Sequence, residues 1–148
     1  MQRGFEGCEI MKEFEIIEHT ADIGIKAYGK NLAECFENAA KGMFAIITDN
    51  SKIDSIGEYR IELKSNTLEE LLVDWLSELL FLNSAYNLVF GEFKVNLDEE
   101  DAKLSADVFG EEYKREKHGY GVEIKAVTYH MLEIKKGSPC EVQVLFDI

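Results

Sequence analysis

The stretch from Thr67 to Leu82 constrains the fold more than any other. Thr67-Leu68-Glu69-Glu70 has the form of a capping box, in which each polar side chain satisfies a backbone N–H at the start of a helix. Leu68, Leu71, Leu72, Trp75, Leu76, Leu79 and Leu80 then fall on one side of that helix, and Glu70, Asp74, Ser77 and Glu78 on the other. An apolar stripe this wide must be buried against a second layer, and the four polar residues read as the solvated face.

A second helix is expected after Asn31, which caps it with Glu34 at the third helical position. Leu32, Cys35, Phe36, Ala39, Met43, Phe44 and Ile47 recur at helical spacing, and Asp49-Asn50-Ser51 ends the pattern. Around these helices the apolar residues alternate instead. Phe14 to Ile17 and Ile23 to Tyr28 read as strands flanking the turn His19-Thr20-Ala21-Asp22, and Tyr59, Ile61 and Leu63 mark a half-buried strand. Four more follow the second helix: Leu88 to Leu97, Lys103 to Phe109, Val122 to Ile134 and Val142 to Phe146. The fold class is therefore α+β, two-layered, with two helices packed on one face of a largely antiparallel sheet. Its order is strand–helix–strand–helix and then four strands.

A length of 148 residues suits one domain with its own core. The patterned sequence begins near Glu13, so residues 11–148 are assigned to the domain and 1–10 to a weakly ordered extension, with Met11 a candidate initiator. No apolar run reaches the roughly 18 residues of a membrane span, and the first ten residues lack the apolar core of a secretory signal. A cytoplasmic location without membrane association is the expectation. Cys8, Cys35 and Cys140 are scattered and form no CxxC pair; Cys35 falls on a helix stripe and reads as a small buried hydrophobe.

The formal charge is −13, from 29 acidic and 16 basic residues. Binding to nucleic acid rests mainly on cations that neutralise phosphates, so direct contact with RNA or DNA is not expected. Lys114 to His118 is the most basic stretch, and it reads as a solvated loop after Glu111-Glu112. A surface this acidic suits a basic protein partner or bound cations.

Three polar places could carry chemistry. In Glu18-His19-Thr20-Ala21-Asp22 the aspartate ends a tight turn, where a role bonding backbone N–H groups competes with a role as ligand. In Lys125 to His130, alternation puts Lys125, Val127 and Tyr129 on one face and Ala126, Thr128 and His130 on the other. Lys125 is either a snorkelling surface side chain or a functional cation. Asp147 stands beside Ile148 at the end of an apolar strand. Were Asp22 close to that end, several hard oxygens would converge, which suits Ca²⁺ or Mg²⁺ or else a neutralising lysine.

The blocks Glu18-His19-Thr20-Ala21-Asp22-Ile23-Gly24 and Lys125-Ala126-Val127-Thr128-Tyr129-His130, with the hydrophobic-Asp-hydrophobic ending, closely resemble the archease family. The resemblance runs from about Glu13 to Ile148, in the same order and spacing, and extends to Leu88-Val89-Phe90-Gly91 and His118. Tyr120-Gly121 departs from it, standing where a more charged approach to the strand is expected. The resemblance implies a non-enzymatic cofactor of the RtcB-type tRNA-splicing RNA ligase, one that promotes guanylylation of the ligase's active-site histidine and multiple turnover. It implies a divalent cation, Ca²⁺ in preference to Mg²⁺, on Asp22, Asp147 and the carbonyl or carboxylate of Ile148. It gives Lys125 a part in activation, with His19 and His130 as further partner contacts. Two other classes compete: a metal-dependent hydrolase built on His19, Asp22 and His130, and a chaperone-like binding module. Oligomeric state is left open.

Overall fold

A computed structural model describes residues 12–19 and 22–148. The expected extension over residues 1–10, Met11, Cys8 and the turn residues Thr20 and Ala21 lie outside the described residues.

The chain runs β1 (Phe14–His19), β2 (Asp22–Gly29), α1 (Leu32–Ile47), β3 (Gly57–Lys64), α2 (Leu68–Tyr86), β4 (Leu88–Asp98), β5 (Lys103–Glu112), α3 (Arg115–His118), β6 (Ala126–Val127), β7 (Glu133–Lys135) and β8 (Cys140–Asp147). The α+β class holds, and every strand pairing is antiparallel. The strands divide between two sheets. One has the order β1-β2-β8-β6, with β7 also paired to β8; the other has the order β3-β5-β4.

Both helices start as their caps direct. Asn31 Oδ1 accepts from the Glu34 amide at 2.9 Å while Glu34 reaches back to the Lys30 amide at 2.8 Å. Thr67 Oγ1 accepts from the Glu70 amide at 3.1 Å, and Glu70 accepts from the Asn66 amide at 2.9 Å. Asn87 closes α2 in the left-handed region, where asparagine is tolerated. These bonds occupy donors that a helix cannot satisfy internally.

The presence of two sheets explains why α1 is buried more widely than its stripe suggests. It packs on β2 through one flank and on β4 through the other. Asn38, Ala40 and Gly42 are therefore buried along with the apolar stripe, and Asn38 is satisfied by the Tyr28 carbonyl at 2.7 Å. Gly42 lets β1 and β2 come close: a methyl group there would stand 2.9 Å from Ile25 Cγ2. Cys35 is fully buried, as its place on the stripe requires. Helix α2 is anchored to α1 by Trp75, whose indole N–H donates to the Phe36 carbonyl at 2.9 Å. Between the helices and the three-stranded sheet, Phe44, Phe90, Phe93 and Trp75 pack at centroid distances of 5.6–6.2 Å. A register shift between Phe90 and Glu92 lets consecutive Val89 and Phe90 both be buried.

Three expectations need correction. The long strand from Val122 to Ile134 does not form, and only Ala126–Val127 and Glu133–Lys135 join the sheet. The Gly121 and Val122 amides instead bond the carbonyls of Ile47 and Ile46, which the end of α1 leaves without helical partners. Second, residues 114–118 are not a solvated loop: Arg115–His118 form a short helix that buries His118 completely. Third, Glu70, Asp74, Ser77 and Glu78 are half-buried rather than fully solvated, and Ser65 Oγ donates to Asp74 at 2.6 Å. No helix among the described residues is long and apolar enough to cross a membrane.

Candidate functional site

The geometry of the candidate site follows from strand register. Strand β2 begins at Asp22 and β8 ends at Asp147. Their last registered pair is Ile23 with Phe146, so Asp22 and Asp147 occupy the next position outward on each strand. Opposed residues of an antiparallel pair share a face, with Cβ atoms about 5 Å apart. On the flanks, His19 is registered with Asp22, and Ala126 with Asp147. A single row thus runs His19–Asp22–Asp147–Ala126 across the end of the five-stranded sheet.

The side of the sheet that carries this row is set by the period of two. Ile23, Ile25 and Ala27, with Phe146, Val144 and Val142 opposite them, line the core side against α1. Asp22 and Asp147 alternate with those residues and so stand on the outer side. Asp22 is half-buried and Asp147 exposed, and Ile148 beyond it is 43 % exposed.

Lys125 stands one position off this row. Its amide donates to the Asp147 carbonyl at 2.8 Å, so backbone rather than side chain ties it to β8. Its side chain is exposed, and the short β6 that follows it packs on α2. Tyr129 lines a cleft with Lys64, Ser65, Asn66, Glu70 and Asp74, and partial burial together with those two carboxylates raises its phenol pKa. His130 is exposed and lies in the turn after β6, so strand alternation does not decide its direction; its amide donates to Thr128 Oγ1 at 3.3 Å. The expected residues therefore gather at one end of the sheet, but in two groups. The opposed aspartates occupy its outer face, and Tyr129 lies beside Glu70 and Asp74 of α2. Among the described residues, no three His, Cys, Asp or Glu side chains converge as a metal-binding group.

A second polar cluster escaped sequence reasoning. Glu111 Oε2 accepts from the Asp54 amide at 2.8 Å and from His118 Nε2 at 2.9 Å, while Oε1 accepts from Lys117 Nζ at 2.9 Å. Lys117 also reaches Asp54 at 2.6 Å. The Lys114 amide donates to His118 Nδ1 at 2.9 Å, which leaves Nε2 to carry the hydrogen and donate to Glu111. Burial alone would raise the Glu111 pKa, but the donors from Asp54, Lys117 and His118 outweigh it and hold the carboxyl at about 2. Tyr113 stacks on the His118 ring at 5.7 Å. Every oxygen and nitrogen of the Glu111 and His118 side chains is engaged, so this cluster fastens the 114–118 turn to β5. The sequence hinted at it only through His118, which belongs to the family resemblance and follows a Glu-Glu pair, and neither sign points to Glu111 as its partner.

Comparison with known proteins bears on the whole chain. Residues 14–148 match the model of the archease protein family. The chain is 48% identical over 141 residues to the archease of Methanosarcina barkeri, covering 93% of this chain and 97% of that one. It is 47% identical over 126 residues to the archease of Methanothermobacter thermautotrophicus, covering 84% and 89%. The solution structure of Methanobacterium thermoautotrophicum protein 1598 is similar at a TM-score of 0.78 and 43% identity, covering 93% of this chain and all of that one. Similarity of this extent, spanning both aspartates of the row, shows that the chain belongs to the archease family.

Proposed function

We propose that this protein is a non-enzymatic cofactor of an RtcB-type tRNA-splicing RNA ligase, and that the end of the five-stranded sheet is the surface that acts on the ligase. The observation that carries the reading is the opposition of Asp22 and Asp147 across β2 and β8, in a chain that belongs to the archease family. Two carboxylates borne at opposed positions of neighbouring strands bring like charge together at the sheet end, which suits a positive ligand or partner there.

The donor set suits a hard divalent cation. The carboxylates of Asp22 and Asp147 and the main-chain oxygens of Ile148 would hold it, with Ca²⁺ favoured over Mg²⁺ because oxygen ligands on a strand end tolerate irregular geometry. Bound there, the ion supplies positive charge that offsets the paired aspartates and fixes the end of β8. The protein's own groups do the rest. The aspartates attract the basic walls of a metal-dependent active site, while His19 in the row, with Lys125 and His130 beyond it, serves as a contact for the partner. A net charge of −13 disfavours direct binding of RNA, so specificity for the transcript resides in the ligase. A cytoplasmic location fits this work.

The test is guanylylation of the cognate ligase with GTP, followed with and without this protein. Asp22→Ala is expected to reduce the stimulation at least tenfold; undiminished stimulation by the variant would remove Asp22 from the mechanism. The isolated protein should hydrolyse no generic phosphoester with Mg²⁺ or Mn²⁺ present, and turnover abolished by Asp22→Ala would favour a hydrolase instead.

A further inference from the structure

The Asp22–Asp147 row is only as well defined as the register of β8 between its neighbours, and one residue controls that register from both sides. Leu145 is 3 % exposed, yet it shares a strand face with Asp147, on the side of the sheet away from α1. It is registered with Gly24, just as Asp147 follows opposite Asp22. Gly24 is buried, and its missing side chain is what admits Leu145. A methyl group at Gly24 would overlap Leu145 Cδ2 and stand 2.5 Å from the Val144 carbonyl oxygen. Backbone cannot yield there without moving β8 relative to β2. Glycine weakens a strand interior, so its presence here fits a site of close approach.

The opposite flank of Leu145 is held by Thr128. The Leu145 carbonyl accepts from the Thr128 amide at 3.1 Å and from Thr128 Oγ1 at 2.9 Å. The same hydroxyl accepts from the His130 amide at 3.3 Å. Two residues along the pair of strands, the Lys125 amide closes the ladder on the Asp147 carbonyl. Neither Gly24 nor Thr128 offers a charge or a ligand to the row, so what they contribute is position.

We propose that Thr128 and Gly24 are positioning residues, which grip Leu145 from its two flanks and so hold Asp147 opposite Asp22. The inference rests on the reading of that aspartate pair as the functional site, and it adds the device that sets the pair's separation. Thr128→Val keeps the shape of the side chain and removes only the hydroxyl bonds; Thr128→Ser keeps the hydroxyl.

The experiment measures three quantities on the full chain: hydrogen exchange of the Lys125 amide, Ca²⁺ affinity by calorimetry, and thermal unfolding. Thr128→Val should speed Lys125 exchange about three- to tenfold, the size expected for a lost hydrogen bond, and weaken Ca²⁺ by a similar factor. The amides of Ile25 and Val144, in the sheet interior, should keep their wild-type rates, and Thr128→Ser should restore both affected quantities. Gly24→Ala should impair both more strongly, and should it fail to fold, the threonine pair still decides the matter. Unchanged Lys125 exchange in Thr128→Val, or a serine variant as impaired as valine, overturns the proposal. Absence of Ca²⁺ binding by the wild type counts against the cation reading alone, and Lys125 exchange then decides whether Thr128 positions the strand end.

Discussion

Two carboxylate sites in this molecule differ in nearly every respect. Glu111 lies 7 % exposed among three donors, from Asp54, Lys117 and His118. Asp22 and Asp147 face each other at an open sheet end, one half-buried and one exposed, so that like charges are opposed. A buried charge persists only when its hydrogen-bonding capacity is met, and Glu111 meets that condition; its work is to hold a turn. The opposed pair instead gathers like charge at an open sheet end, an arrangement suited to a positive ligand or partner.

The largest separation between the two regions is expected in stability. Glu111→Ala leaves the buried His118 N–H and the Asp54 amide without their acceptor, so it should lower the unfolding free energy by about 3 kcal/mol. Chemical denaturation measures this, and stimulation of the ligase per folded molecule should be unaffected. Equal losses in stability and stimulation would mean that the two regions act as one unit.

A smaller effect concerns the aspartates. Ca²⁺ at ten times its dissociation constant should raise the stability of the wild type by about 1.4 kcal/mol, and the rise should vanish in Asp22→Asn. A thermal shift measured with and without the ion tests it. An equal shift in both proteins would move the ion elsewhere.

A further difference between the two regions lies in the acid limb of the pH–stability curve. The Glu111 pKa falls from an ordinary 4.5 to about 2 on folding. A depressed carboxyl stabilises the fold above the higher value, and that contribution is lost as the pH falls from about 4.5 toward 2. Glu111→Gln should therefore flatten the stability profile over that window, which chemical denaturation at a series of pH values measures.

Signals that act over a few residues were legible in the sequence. The capping bonds of Asn31 and Thr67 and the buried leucines of α2 lie where spacing put them, because a cap or a helical stripe involves neighbours four residues away or fewer. The candidate site was half legible. Asp22, Asp147 and Lys125 could be singled out as residue types in telling places, and the same blocks carried the family. Alternation failed at Val122 because the amides there were claimed by α1, and it failed for His130 because a turn replaces the strand. His118 was misjudged because a short basic stretch looks solvated until Glu111 is folded against it.

By itself, then, the sequence determined the helices, most of the strands, the α+β class and membership in the archease family, all of which local periodicity and motif spacing encode. Only the tertiary structure decided that the strands form two sheets around α1, and that β8 enters between β2 and β6 to set Asp147 opposite Asp22. The physical reason is register. Sequence fixes which residues of a strand share a face, but which residue of a distant strand stands opposite depends on close packing, here on a glycine that admits a leucine and a threonine that holds its carbonyl.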